Sequence, residues 1–276
     1  MDYRIIADSC CEFTSELKEE VECKSVPLKM TLGNDTYVDD ENLDVNHFLK
    51  TMNHYKGRAM SACPSPQEYY NEYASDKPNY VVTLSSQLSG SYSSAMVAKM
   101  LAEEDDKEVE VFDSKSASAG ELLVSLKIKE CMDNGLSKNE LITKTQEFIK
   151  GMKTFFVLEN LDNLMKNGRM SLIAAKIATV MHIRAILGSD GEGNIAFFDK
   201  ARGTSNAIQR LVDMIGEQCK DTANKVLAIS HCNNETQALR VKKLAQEKYS
   251  FKDILIVKTR GLSSMYANQG GVIIAF

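Results

Sequence analysis

The sequence predicts an α/β chain. Short β-branched or aromatic runs alternate with longer amphipathic stretches, and no Pro-, Gly- or Ser-rich linker or internal repeat interrupts the alternation. In chain order, strands are expected at Arg4–Ala7, Tyr80–Leu84, Glu108–Phe112, Thr154–Leu158, Val226–Ser230, Ile254–Val257 and Val272–Ala275. Helices are expected at Gln67–Ala74, Ser91–Glu103, Gly120–Asn134, Ser137–Met152, Asn206–Cys219 and Glu235–Tyr249. Helical crossovers make the first sheet mainly parallel. The stretch Glu22–Asp39 instead has paired strands around Gly33-Asn34-Asp35, and Gly188–Asn194 reads as a turn before Ile195–Phe198, so the second sheet is expected to be mixed.

A chain of 276 residues holds one large or two modest domains. Two closely packed α/β domains are expected, residues 1–160 and 161–276, with the boundary near Leu158–Gly168. The net charge of −5 comes with scattered basic residues, which argues against nucleic acid as a partner. No apolar run reaches the length of a membrane span, so no stable membrane insertion is expected. Met1-Asp2 leads straight into the first strand without the features of a secretory leader. The seven cysteines lack C-x-x-C spacing, which fits a reducing cytoplasm better than a disulfide framework or a structural zinc.

The most informative segment is Val82–Ser94, where hydroxyls crowd the hand-over from strand to helix, with Ser89-Gly90 as the turn. Helix N-termini present free N–H groups that favour carboxylate or phosphate. Plain N-capping accounts for one or two of these serines, and the density exceeds what capping needs. The loop Met60–Pro66 is a second hydroxyl-rich segment, in which Ser65 fits an N-cap and Ser61 does not. Asp8-Ser9 and Asp113–Ala117 also follow strands, and capping of the next helix is the favoured role for each. Asn167-Gly168-Arg169 and Arg202-Gly203-Thr204 each set a guanidinium beside a glycine, either for an anion or simply in solvent.

Catalytic signatures are absent: there is no G-x-S-x-G elbow, no Gly-rich phosphate fingerprint and no metal-ligand spacing, so neither cofactor nor metal is expected. His47 and His54 lie on a polar helical stretch, while His182 and His231 have apolar neighbours. A serine-dependent small-molecule hydrolase or transferase therefore remains only as the competing class. Thirteen Met and no Trp suggest adaptable apolar surfaces, with Met60, Met96, Met100, Met165, Met170, Met181 and Met265 near the hydroxyl segments or second-half helices. Polar donors and flexible apolar surfaces together suit a ligand with an anionic head and an apolar body.

These residues also carry a family resemblance. Asp8-Ser9, Ser61–Ser65 (for T-S-Q-P-S), Thr83–Tyr92 with its L-S-S-x-L-S-G run, Asp113–Ser118, Leu158–Leu161 with Asn167–Ser171, Lys200–Gly203 and the Gly-rich terminal strand occur in the order seen in the DegV family of bacterial lipid-binding proteins. The resemblance spans essentially the whole chain. It implies two domains clasping one long-chain fatty acid in the cleft between them, and a carrier subunit rather than an enzyme. The carboxylate would be presented to a separate fatty-acid kinase that makes an acyl phosphate for phospholipid synthesis. Carried over by motif, Ser61, Ser89 and Gly90 would form the head-group site, and Arg169 and Arg202 would face the head group or the kinase. Where the family has T-H-x-G-P-G, this chain reads Met265–Gly270, so Tyr266 replaces the head-group His.

Overall fold

The computed structural model describes residues 3–170 and 183–276. The expected Ser171, Met181 and His182 lie outside the described residues. The first sheet has the order β2-β1-β6-β7, formed by β1 (Arg4–Asp8), β2 (Glu22–Val26), β6 (Asn79–Thr83) and β7 (Val109–Asp113), all parallel. A small antiparallel sheet of β3 (Lys29–Leu32), β4 (Asp35–Val38) and β5 (Met60–Ala62) has the order β4-β3-β5. The second large sheet is mixed, with the order β10-β9-β8-β13-β11-β12. Its strands are β8 (Thr154–Val157), β9 (Ile183–Ser189), β10 (Ile195–Arg202), β11 (Val226–His231), β12 (Asp253–Lys258) and β13 (Val272–Ala275). Thus β8, which precedes residue 160, is a central strand of the second sheet.

Period-two side-chain alternation builds the layers. On β1 and β6, Ile5, Ala7, Tyr80 and Val82 face an inner core completed by α5 (Ala119–Asp133) and α6 (Lys138–Gly151), while Ile6 and Val81 face α3 (Pro66–Glu72) and α4 (Ser91–Glu104). The second sheet turns Ala228 and Ala275 to the same inner core, and Leu227, Ile229 and Ile274 to α8 (Thr204–Gln218) and α9 (Glu235–Lys248). One helical layer is therefore shared by both sheets, with α5 touching β6, β11 and β13. Strands covered on both faces read as continuous apolar runs, which is why they stand out in the sequence.

Several expectations change. Glu22–Val26 pairs with β1 in the parallel sheet, and the hairpin is confined to β3 and β4. On α4 the buried face is Ala95, Ala98 and Ala102, whereas Val97, Met100 and Leu101 are exposed. Small residues let α4 lie close to β6 and β7, so its larger side chains are left on the outside. Three further helices, α2 (Val45–His54), α7 (Asp162–Lys166) and α10 (Gly261–Ala267), join the small sheet around a second core containing Met30, Phe48, Leu164 and Met265. That core encloses the site.

Candidate functional site

The carboxyl ends of β1, β6 and β7 converge on a cavity of about 350 Å³. Its apolar wall is built from Leu28, Leu84, Leu158, Phe156, Leu262 and Ile273. This size suits one small-molecule ligand. Among the described residues, none of the methionines expected at the site lines the cavity: Met60, Met100 and Met165 are exposed, Met170 and Met265 are buried in the core, and Met96 packs with the core beneath α4. Leucines, supplied mostly by loops and strand ends, take that role.

One part of the wall is polar. Ser61, Ser89, Gly90, Arg169 and Tyr266 all line the cavity. β5 pairs with β3 so that Ser61 stands opposite Met30, and α10 brings Tyr266 to it across 205 residues, with Ser61 Oγ 2.8 Å from the Tyr266 hydroxyl. The Ser89 Oγ accepts the Ser91 N–H at 3.2 Å, which leaves the Ser89 O–H free to donate. Gly90 sits where an added Cβ would approach Cys63 Sγ at 3.1 Å, so its missing side chain keeps the two hydroxyl segments together. Arg169 Nε donates to the Leu88 carbonyl at 3.2 Å, which ties the guanidinium to the serine loop. A shallow surface pocket shares Ser89, Gly90 and Arg169 with the cavity, so this end of the cavity reaches the exterior.

Arg202 is not brought to the cavity. It is exposed at the end of β10, the edge strand of the second sheet, and its carbonyl accepts from Asn206 Nδ2 at 2.9 Å. The Arg-Gly pattern it shares with Arg169 reflects a turn into α8, with Gly203 at φ +79°.

The serine loop is held by buried acids that were expected to cap helices. Asp8 caps none: its Oδ2 accepts the Leu84 N–H at 2.9 Å and the Ser91 O–H at 2.6 Å, and its Oδ1 accepts the Cys10 N–H at 3.1 Å. The cap of α1 (Ser15–Glu20) is Thr14. Ser9 Oγ donates to Asp39 at 2.9 Å, and Asp39 receives the Gly261 and Leu262 N–H groups, both at 2.8 Å, fixing the start of the helix that carries Tyr266. Likewise Asp113 receives the Ser86 N–H at 3.2 Å and the Ser86 O–H at 2.5 Å, while Ser118 forms the capping box of α5 with Glu121. The capping expectation holds for Ser65, whose box with Glu68 starts α3.

Burial dominates the electrostatics behind the wall. It pushes Asp8 up to about 6 against its hydrogen bonds from Ser91, Leu84 and Cys10, and Glu12 up to about 7 against the bond from Ser118. Burial, reinforced by the Asp8 and Glu12 charges, also pushes Glu121 well above the usual carboxylate range. Asp8, Cys10 and Glu121 bring ligand atoms within 4.8 Å of one another. Burial raises the Cys10 thiol as well, so Cys10 and Glu121 favour their protonated forms. Among the described residues no His, Asp or Glu lines the cavity, so Ser61 and Ser89 have no imidazole or carboxylate base beside them there. His47 and His54 are exposed on α2, and His231 accepts the Asn234 N–H on its Nδ1 at 3.1 Å.

The family model for DegV, whose members are described as uncharacterised proteins, matches residues 2–276. The chain belongs to the DegV family. A DegV structure from Ruminococcus gnavus refined with vaccenic acid superposes with a TM-score of 0.96 at 39% identity, covering 100% of this chain and 99% of that one. The Streptococcus pneumoniae Fatty Acid Kinase (Fak) B3 protein loaded with linoleic acid gives a TM-score of 0.92 at 31% identity, with 100% and 99% coverage. A Streptococcus gordonii DegV domain-containing protein is 32% identical over 282 residues, covering 100% of this chain and 99% of its own length. The DegV fold therefore accounts for the parallel first sheet and the mixed second sheet. Among the described residues of this DegV chain, no helix is long and apolar enough to cross a membrane.

Proposed function

We propose that this DegV protein is a carrier that buries one long-chain fatty acid, with the carboxylate held by Ser61, Ser89, the Gly90 backbone and Tyr266, and with Arg169 at the rim. The observation that carries it is an apolar cavity whose surface end is furnished with hydroxyl donors and the Arg169 guanidinium, with no His, Asp or Glu among its described lining residues. Burying about 14 methylenes at roughly 0.8 kcal/mol each gives on the order of 11 kcal/mol before several kcal/mol of association cost. The tail drives affinity. The hydroxyls offset the several kcal/mol needed to desolvate the carboxylate and set its direction. The fatty acids bound by the R. gnavus and S. pneumoniae relatives support the same ligand class.

In this proposal residues 1–160 supply most of the head-group donors, and residues 161–276 supply Tyr266 and Arg169 and cover the tail. The carrier performs no chemistry alone. It works in a reducing cytoplasm, in keeping with its seven free cysteines, and presents the carboxylate through the Ser89–Arg169 opening to a fatty-acid kinase, as the name of the Fak B3 relative suggests. Native mass spectrometry of the purified protein, followed by organic extraction, is expected to show one fatty acid per chain. Absence of copurified lipid together with no binding of palmitate or oleate would overturn the assignment.

A further inference from the structure

Away from the cavity, a groove of about 560 Å³ runs between the β1–α1 connection and β12. Five consecutive residues, Ile254–Lys258, line it. Neighbouring strand residues point to opposite faces, so an uninterrupted run in the wall means that the groove follows the edge of the strand rather than one face. β12 ends the order of the second sheet, and among the described residues nothing pairs with its outer side.

The groove is basic in a chain of net charge −5. Its charged lining is Lys18, Lys242, Lys258 and Arg260 against Glu12 and Glu16. Glu12 is buried and receives the Ser118 O–H at 2.6 Å, so it faces the interior network. The Arg260 guanidinium lies 3.9 Å from Asp39, whereas Lys18, Lys242 and Lys258 have no ion pair among the described residues; the Lys242 ammonium instead donates to the Ile254 carbonyl at 3.2 Å. The two flanks are matched: Ile254 and Ile256 pack with the core under α9, which carries Lys242, and Leu255 and Val257 pack with Phe13 and the inner core near Lys18.

We propose that this groove docks an extended acidic segment of another protein, which adds a strand to β12. Ile254 already has its carbonyl bonded by Lys242 Nζ at 3.2 Å and its N–H by Asp253 at 2.7 Å, so main-chain hydrogen bonds along the edge beyond it supply sequence-independent affinity, and the lysines on both flanks select carboxylate side chains. At about 3.3 Å per residue, the lined stretch accepts a segment of about five residues. Lysines on an edge strand also discourage self-pairing, and that protective role alone predicts no bound peptide.

The test uses the full chain and a short fluorescein-labelled peptide alternating valine with glutamate, with a lysine counterpart as control. Fluorescence anisotropy is expected to show saturable binding of the acidic peptide only, weakened about tenfold in a Lys18→Glu/Lys258→Glu variant and by raised salt. Amide exchange should slow at Ile254–Val257 on binding, and fatty-acid affinity should stay unchanged. Lys18 and Lys258 are exposed, so equal melting temperatures for variant and wild type will confirm folding; should the variant melt lower, the milder Lys18→Gln/Lys258→Gln replaces it. No binding of the acidic peptide, equal binding of the lysine peptide, or protection outside β12 would overturn the proposal.

Discussion

The hydroxyls at the surface end of the cavity and the carboxylates behind its wall are both polar side chains gathered around strand ends, loops and the start of α10, and they serve opposite ends. Ser61, Ser89 and Tyr266 are half-buried and keep donor capacity facing empty space. Asp8 and Asp39 are fully buried and use their oxygens on the protein itself. A polar group in a core is tolerated when it is hydrogen-bonded. The carboxylates are thereby committed to holding two loops and one helix start, and the hydroxyls are left for a ligand. The two regions should separate under mutation.

The largest effect is expected at Asp8. Asp8→Ala strands the Leu84 N–H and the Cys10 N–H in the interior and leaves the Ser91 hydroxyl with only Tyr69, and should cost about 3 kcal/mol or more in chemical denaturation. Its fatty-acid binding should fall with its stability. Ser89→Ala should do the reverse: affinity for palmitate drops by about 2 kcal/mol, roughly thirtyfold in Kd, while stability falls by only about 1 kcal/mol from the lost Ser91 N–H bond. Calorimetric titration beside a melting curve checks both, and parallel loss of stability and affinity in Ser89→Ala would erase the distinction.

Glu12 gives a smaller, pH-dependent contrast. Its folded value of about 7 lies above the ordinary glutamate value of 4.5, so the native state holds the proton more tightly than the unfolded state. Its contribution to stability is therefore greatest below about 4.5 and is lost as pH rises through about 7. Glu12→Gln removes this titration, and its melting temperature relative to wild type should shift upward between pH 5 and pH 8. A pH-independent difference would contradict the buried-acid assignment. The smallest effect is expected for Met100→Lys, within about 0.5 kcal/mol and without change in ligand affinity, because Met100 is 58% exposed.

What was legible in the sequence follows the range of the interactions. The doubly covered strands and the Ser65 capping box are written within a few residues, and both were readable. Asp8 was misassigned to capping because its partners Leu84 and Ser91 lie 76 and 83 residues away, and a local pattern favours the nearest helix. Arg169 and Arg202 each stand beside a glycine in a turn, and it is the tertiary hydrogen bond to the Leu88 carbonyl that sets the first apart. Ser61 was noticed for failing to fit a cap, yet its pairing with Tyr266 joins opposite ends of the chain, and Tyr266 was visible only through the family motif. The methionine expectation failed because α4 packs through alanines, a signal that a hydrophobicity pattern weighted toward large side chains does not carry.

A crystal structure of the protein loaded with palmitate addresses the head-group assignment most directly. The carboxylate oxygens should lie within hydrogen-bonding distance of Ser89 Oγ and of the Ser61–Tyr266 pair, with the tail against Leu84, Phe156 and Leu262. A carboxylate seated instead beside Lys115, the other cation in the cavity wall, would contradict it.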